Sequence, residues 1–278
     1  MSVKKIVAIH DISCFGRCSL TVALPLLSAL GIQTSVIPTA VLSTHTGGFV
    51  NNTFCDLSGQ IEPIAEHWKK CDISFDGIYS GYLSSEKQVF SVINTINLLK
   101  TDSTLVIVDP VMGDNGRLYS GFSKVFPSYM LKLCKKADII TPNITEACLL
   151  TNCPYKENYD MDFIKNLAFK LFELSGAKVI ITGVSFDEKR IGAAVFDGNE
   201  LYFEFTEKQS SSFHSTGDIF ASVLSGALLN ERGLKSAVQI AANFTSNCIR
   251  QTVADNTDPR YGVNFESQIP HLVKLFDN

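Results

Sequence analysis

Short, near-continuous apolar runs alternate with longer amphipathic ones along this chain, and that alternation restricts the fold more than any other feature. Lys5–His10, Thr34–Ile37, Asp76–Ser80, Thr104–Asp109, Ile139–Ile140 and Lys178–Thr182 read as strands. None shows the polar alternation of a strand with one wet face. Helical periodicity covers Ser19–Leu30, Glu62–Lys70, Glu86–Lys100, about Thr145 to Leu150, and Asp162–Leu174. Val89, Ile93, Ile96 and Leu99 share one face of the third helix, and Phe163, Leu167, Leu171 and Leu174 one face of the fifth. Gly31 stands where the first helix should end. Ala193–Phe196 and Leu201–Phe205 read as a hairpin around Asp197-Gly198-Asn199, and helices over Gly217–Leu229 and Leu234–Gln251 close the core. Strands apolar on both sides need helices on both faces. The expected fold is therefore α/β, a three-layer α/β/α sandwich with a mostly parallel central sheet.

With 278 residues, 45% of them hydrophobic and 19% charged, the chain is expected to form one domain over residues 1–278. Its net charge of −4 and lack of a basic cluster argue against a nucleic-acid partner and for a small molecule. Cys18 through Cys55 contains no Asp, Glu, Lys or Arg, yet Pro25, Gly31, Pro38, Gly47 and Gly48 break it into pieces too short for a membrane span of ~20 residues. It reads as a buried helix and strand, and also as a neutral, hydroxyl-rich pocket or subunit interface around Ser43-Thr44-His45-Thr46-Gly47-Gly48. The eight cysteines form no CxxC pair and are expected to be reduced, small core residues of a cytoplasmic protein.

In such sheets ligands bind beyond the carboxyl ends of the strands. That rule selects His10-Asp11, Thr39, Ser80-Gly81-Tyr82, Asp109, Thr141-Pro142-Asn143 and Thr182-Gly183. Asp109-Pro110-Val111-Met112-Gly113-Asp114 ends a strand with a carboxylate. Asn143-Ile144-Thr145-Glu146 opens a helix, and Glu146 admits two roles: a capping partner of Asn143, or, with Asp109, half of an oxygen-rich magnesium site. His214-Ser215-Thr216-Gly217-Asp218 is a small-residue turn leading into an apolar helix. Read alone, it is either an ordinary cap or an anion cradle with a general base at its edge. Walker A, kinase Gly-rich and GxGxxG patterns are absent from the sequence.

Together, the strand–DPVMGD, strand–TPNxTE, strand–TG and STGD segments, in that order, resemble the ribokinase-like vitamin kinases. Ala8-Ile9-His10-Asp11, Leu42-Ser43-Thr44-His45-Thr46-Gly47 and Ser80-Gly81-Tyr82-Leu83 are similar to segments of the pyridoxal/pyridoxamine kinases among them, and the resemblance covers nearly the whole chain. It implies ATP-dependent phosphorylation of the 5′-hydroxymethyl group of B6 vitamers. By the same resemblance Asp218 is the catalytic base, and Ser215, Thr216 and Gly217 offer backbone N–H groups to the γ-phosphoryl. Asp109 and Glu146 organise Mg2+, and Asp114, Asn143, Thr182 and Thr216 lie along the nucleotide. Asp11, His45, Thr46, Tyr82 and Tyr119 line the vitamer pocket. A homodimer and a monovalent cation such as K+ are further expectations of the family.

Two residues depart from that pattern. Ser215 stands where the family has glycine, and its hydroxyl is expected to cap the helix; Asp11 stands where pyridoxal kinases carry serine. Two alternatives accompany the leading reading. One is a hydroxymethylpyrimidine kinase of the same fold; the other is a catalytically degenerate ligand-binding sensor, which Ser215 motivates.

Overall fold

The computed structural model describes residues 3–209 and 213–276. β1 (Lys5–Ser13), α1 (Leu20–Ala29), β2 (Gln33–Leu42), β3 (Phe54–Asp56) and α2 (Ser58–Lys70) come first. β4 (Gly77–Ser80), α3 (Glu86–Leu99), β5 (Leu105–Val108) and a short pair, β6 (Gly113–Asp114) and β7 (Arg117–Leu118), follow. Next are α4 (Phe126–Cys134), β8 (Ile139–Ile140), α5 (Ile144–Thr151) and α6 (Met161–Ser175). β9 (Lys178–Val184), β10 (Arg190–Phe196), β11 (Leu201–Glu207), α7 (Thr216–Leu229), α8 (Leu234–Ala254) and α9 (Ile269–Lys274) complete the chain.

Nine strands form one sheet in the order β11-β10-β9-β8-β5-β4-β1-β2-β3. The six from β9 to β2 run parallel, whereas β10 and β11 at one edge and β3 at the other are antiparallel. Successive residues of each inner strand face opposite cores, as the period of two demands. Val7, Ile9, Ile78, Val106, Val108, Ile140, Val179 and Ile181 pack with α2 to α6. Ile6, Tyr79, Ile107, Ile139 and Ile180 pack with α1, α7, α8 and α9. That division is why these strands carry no polar face, and it makes the three-layer sandwich.

β1 pairs with β2 on one side and β4 on the other, both parallel. The chain leaves β1 in one direction and returns in the other, so the topological switch point lies between β1 and β4. In sheets of this kind the ligand crevice lies beyond the carboxyl ends of two such strands.

Several boundaries differ from expectation for identifiable reasons. β1 continues past His10 to Ser13 through a bulge in its pairing with β2. β2 runs through Pro38 because β3 pairs with it only from Ala40 onward, so the missing N–H faces no strand on that side. The three residues of β3 are all exposed and leave no apolar pattern to read. Pro127 obscures α4, yet it occupies the first turn, where helices accept proline. The buried face of α6 is Ile164, Leu167, Ala168 and Leu171, with Phe163 and Leu174 half-buried at its margins. In α3, Val92 is buried and Ile93 only partly so.

All eight cysteines are free, but only Cys18, Cys134, Cys148 and Cys248 are buried; Cys14, Cys55 and Cys71 are exposed, against the expectation of core positions. No helix among the described residues is long and apolar enough to cross a membrane.

Candidate active site

α7 begins at Thr216, and its first-turn N–H groups have no partner within the helix. They carry the partial positive charge of a helix N-terminus toward the crevice. Ser215, the residue before the helix, has φ 70° and ψ 10°, the left-handed conformation that glycine adopts most easily. Its hydroxyl makes no capping bond, and its Oγ is buried without a hydrogen-bond partner. The expected cap is therefore absent: in the left-handed conformation the side chain does not reach back to the helix amides. Gly217 is exposed, and a Cβ there would sit 3.5 Å from Asp109 Oδ2, so the strand-end carboxylate faces this turn.

Asp218, half-buried in the first turn of α7, accepts a hydrogen bond at Oδ2 from the Ser19 N–H at 2.9 Å. Burial pushes its carboxyl up to about 7; the Ser19 amide opposes this shift and the nearby Asp11 adds to it. A carboxylate of that strength is matched to proton transfer near neutrality. Asp11 lies at the bulge of β1, is 4% exposed, and accepts from Ser19 Oγ at 2.6 Å and Ser13 Oγ at 3.2 Å. Burial raises Asp11, and the two hydroxyls pull the other way. The sequence reading missed Ser19. It looked like the first residue of an ordinary helix, and only the fold brings it to Asp218.

Asp109 directly follows β5, and burial followed by the charges of Glu146 and Asp218 holds it well above the usual carboxylate range. Glu146 is buried at the start of α5, where the capping role expected of it is seen. Its Oε2 accepts from the Asn143 N–H at 2.9 Å and Oε1 from the Met112 N–H at 3.0 Å, while Asn143 Oδ1 accepts from the Glu146 N–H at 2.9 Å. It is thus a capping-box acid, and it also shares a field with Asp109. Burial pushes it up to about 8 against the pull of those backbone donors. Among the described residues no Lys, Arg or His forms an ion pair with Asp109, Glu146 or Asp218. Nor does any group of three or more His, Cys, Asp or Glu form a closed metal cage among them. Two buried, uncompensated carboxylates suit a hard divalent cation that keeps several waters.

The residues expected along the nucleotide gather beside this pair. Asn143, the N-cap of α5 beyond the end of β8, forms a parallel bridge with Thr182 of β9. The Asn143 side-chain amide donates to the Gly113 carbonyl at 2.9 Å, which ties α5 to the β6–β7 turn carrying the exposed Asp114. Tyr119 follows that turn, 42% exposed, and its hydroxyl is raised by burial and by Glu146, Asp114 and Asp109 in turn.

Across the crevice, burial and Asp11 push Tyr82 up to about 12. His45 is buried: its Nε2–H donates to the Arg260 carbonyl at 2.6 Å and its Nδ1 accepts from the Gly47 N–H at 3.1 Å. Both ring nitrogens are therefore occupied in holding the loop after β2, and Thr46 is exposed on it. The His45 ring lies 5.4 Å from that of His214, and a Cβ on Gly47 would meet the His214 ring at 2.7 Å, so the loop passes close to the turn before α7 and a side chain there would displace that ring. Ser19 thus joins Asp11 to Asp218, Asp109 faces Gly217 and shares a field with Glu146, and Asn143 joins Glu146 to Thr182, whereas Thr46 is an exposed residue of the loop after β2.

The model of the phosphomethylpyrimidine kinase family matches residues 27–260, most of the chain. The chain belongs to that family. A crystallised Bacteroides thetaiotaomicron protein, described provisionally as a phosphomethylpyrimidine kinase and solved in one form with pyridoxal, is 36% identical. It superposes with a TM-score of 0.92 over 98% of this chain and 96% of its own. Pyridoxal kinase of Lactobacillus plantarum is 30% identical with a TM-score of 0.91, over 99% and 98% of the two chains. Pyridoxal kinase of Dictyostelium discoideum is 28% identical, over 99% of this chain and 96% of that protein. The phosphomethylpyrimidine kinase family member described here thus has the ribokinase-like fold and is a kinase.

Proposed function

We propose that the protein transfers the γ-phosphoryl group of ATP to the 5′-hydroxymethyl group of B6 vitamers, giving the 5′-phosphates of pyridoxal, pyridoxamine and pyridoxine. One observation carries this reading: Asp218 stands in the first turn of α7, beside unpaired helix N–H groups, at the switch point of the sheet. A base and an oxyanion cradle there meet the two needs of phosphoryl transfer, positioning and charge neutralisation. The likeness to a protein crystallised with pyridoxal and to two pyridoxal kinases supports the B6 vitamer as acceptor.

In this reading Asp218 takes the proton from the substrate hydroxyl as its oxygen approaches the γ-phosphorus. The N–H groups of Ser215, Thr216 and Gly217 receive the charge that develops on the equatorial oxygens. Asp109 and Glu146 would hold Mg2+, whose charge would neutralise that of the phosphates. Asp114, Asn143 and Thr182 border the nucleotide phosphates, and Tyr82, Tyr119, Asp11 and the His45–Thr46 loop border the pyridine ring. The protein works in this scheme as a cytoplasmic homodimer, with a monovalent cation such as K+ as a further cofactor and neither membrane nor nucleic acid as partner.

The family description favours one second reading, phosphorylation of hydroxymethylpyrimidine, which offers the same hydroxymethyl group on another nitrogen ring. Turnover of ATP with pyridoxal, pyridoxamine, pyridoxine and hydroxymethylpyrimidine separates the two. B6 vitamers are expected to give the highest kcat/KM; preference for the pyrimidine reassigns the substrate, and turnover of none leaves a ligand-binding sensor.

A further inference from the structure

Ser19 breaks two local rules at once. It precedes α1 with φ 52° and ψ −128°, a conformation L-residues rarely adopt, and its hydroxyl leaves the helix amides uncapped. The hydroxyl instead donates to Asp11 Oδ1 at 2.6 Å, and the amide of the same residue donates to Asp218 Oδ2 at 2.9 Å. Ser19 is 6% exposed; its bond to Asp11 is fully buried and its bond to Asp218 partly so. Ser13, fully buried, supplies the second donor to Asp11 at Oδ2. Asp218 reaches this point from the far end of the chain, and Asp11 from the bulge of β1. A strained residue persists only where its surroundings determine it, and here those surroundings are the two carboxylates of the crevice.

We infer that Ser19 is a positioning residue for phosphoryl transfer, holding Asp218 through its amide and Asp11 through its hydroxyl so that the base and the acid beside the ring keep a fixed spacing. The inference rests on the proposed kinase reading of this site. Its chemistry divides by atom. The amide survives any substitution except proline and continues to hold Asp218. The hydroxyl can be deleted alone, which frees one oxygen of Asp11.

The test uses the full chain with Ser19→Gly, which keeps the amide and adopts the left-handed backbone freely, and Ser19→Ala as a second variant. Thermal melts check folding, and Ser19→Gly is expected to melt no lower than wild type. The KM for the B6 vitamer is expected to rise about tenfold or more, the scale of a lost hydrogen bond to a charged group, while the KM for ATP moves less than twofold. kcat should fall by less than the vitamer KM rises. In an Asp11→Ala background, Ser19→Gly should add nothing to the vitamer KM, because its partner is already gone. Equal shifts in both KM values, or an additive effect in that background, overturn the inference. If wild type ignores B6 vitamers, the kinase reading for vitamers fails separately. The same cycle on hydroxymethylpyrimidine then decides the role of Ser19, and if neither is turned over both proposals fall.

Discussion

Glu146 and Asn143 cap each other: the Asn143 N–H donates to Glu146 Oε2 at 2.9 Å and the Glu146 N–H donates to Asn143 Oδ1 at 2.9 Å. With the Met112 N–H on its other oxygen, Glu146 is a structural acid as well as a partner in charge to Asp109. The two carboxylates therefore separate by experiment. Asp109→Asn should raise the Mg2+ needed for half-maximal rate and leave the melting temperature nearly unchanged. Glu146→Gln should raise the Mg2+ requirement and also cost about 1–3 kcal/mol of stability, because its amide nitrogen meets a backbone donor. Magnesium titrations and melts of both variants check this, and unchanged titrations in both would refute the metal role.

Asp218→Asn should lower kcat by about 10²-fold or more, since a positioned base supplies roughly 10²–10⁴. ATP affinity should hardly move, because the helix N–H groups remain. A variant with near-wild-type turnover removes Asp218 from the chemistry.

Stability should depend on pH with a sign opposite to that of ordinary paired carboxylates. Asp218 and Glu146 rise from 3.8 and 4.5 to about 7 and about 8 in the folded chain. Between those limits the folded protein holds protons that the unfolded chain has released, so stability falls as pH rises through this window. The contribution is fully present below the unfolded values and gone above the folded ones. Melting temperatures of the ligand-free protein should drop from about pH 4 to about pH 8, and Mg2+ with nucleotide should flatten the slope. A rise over the same range contradicts the burial of these groups.

Ser215→Gly should stabilise the protein by about 1–2 kcal/mol, the usual cost of a left-handed L-residue, since the hydroxyl gains no bond in return. For a chain of this size that is an increase of several degrees in Tm, at about 2–4 °C per kcal/mol. kcat should change less than tenfold, under ~1.4 kcal/mol of barrier, because the N–H of residue 215 is kept. A large gain in rate would show that the natural serine impairs turnover and would favour the sensor.

Asp11 accepts from two hydroxyls and has an anionic role available toward a substrate donor. Pyridoxamine, with a cationic aminomethyl group, should exceed pyridoxal in kcat/KM by about 1–3 kcal/mol. Asp11→Ser should narrow the gap. Equal or reversed preference leaves Asp11 as a residue of the bulge alone.

The sheet, its helical layers and the strand-end carboxylates were legible in the sequence because burial on both faces forces an apolar run and the next residue then stands out. Asp109 and Asn143 stood out in that way, and Asp218 as the acid of a small-residue turn that opens an apolar helix. Ser19 was invisible for the opposite reason: its partners, Asp11 and Asp218, are chosen by tertiary packing, and serine before a helix already has a sufficient local explanation. β3 and the β6–β7 pair were missed because strands of two or three residues are too short to carry a period. The hydroxyl of Ser215 was misjudged because its left-handed backbone, which a single serine does not announce in a sequence, decides where the side chain can reach.

The bond between Ser19 and Asp218 spans 199 positions of sequence, and Arg17 meets Glu266 across 249. Contacts that distant pay their loop-closure entropy late, so α7 docks on α1 only after most of the chain has been made and arranged. The catalytic geometry is then among the last things the protein acquires. During refolding, helix and sheet signals should return before turnover does, and a chain released from the ribosome before residue 218 carries Asp11, Asp109 and Glu146 but not the carboxylate proposed as base.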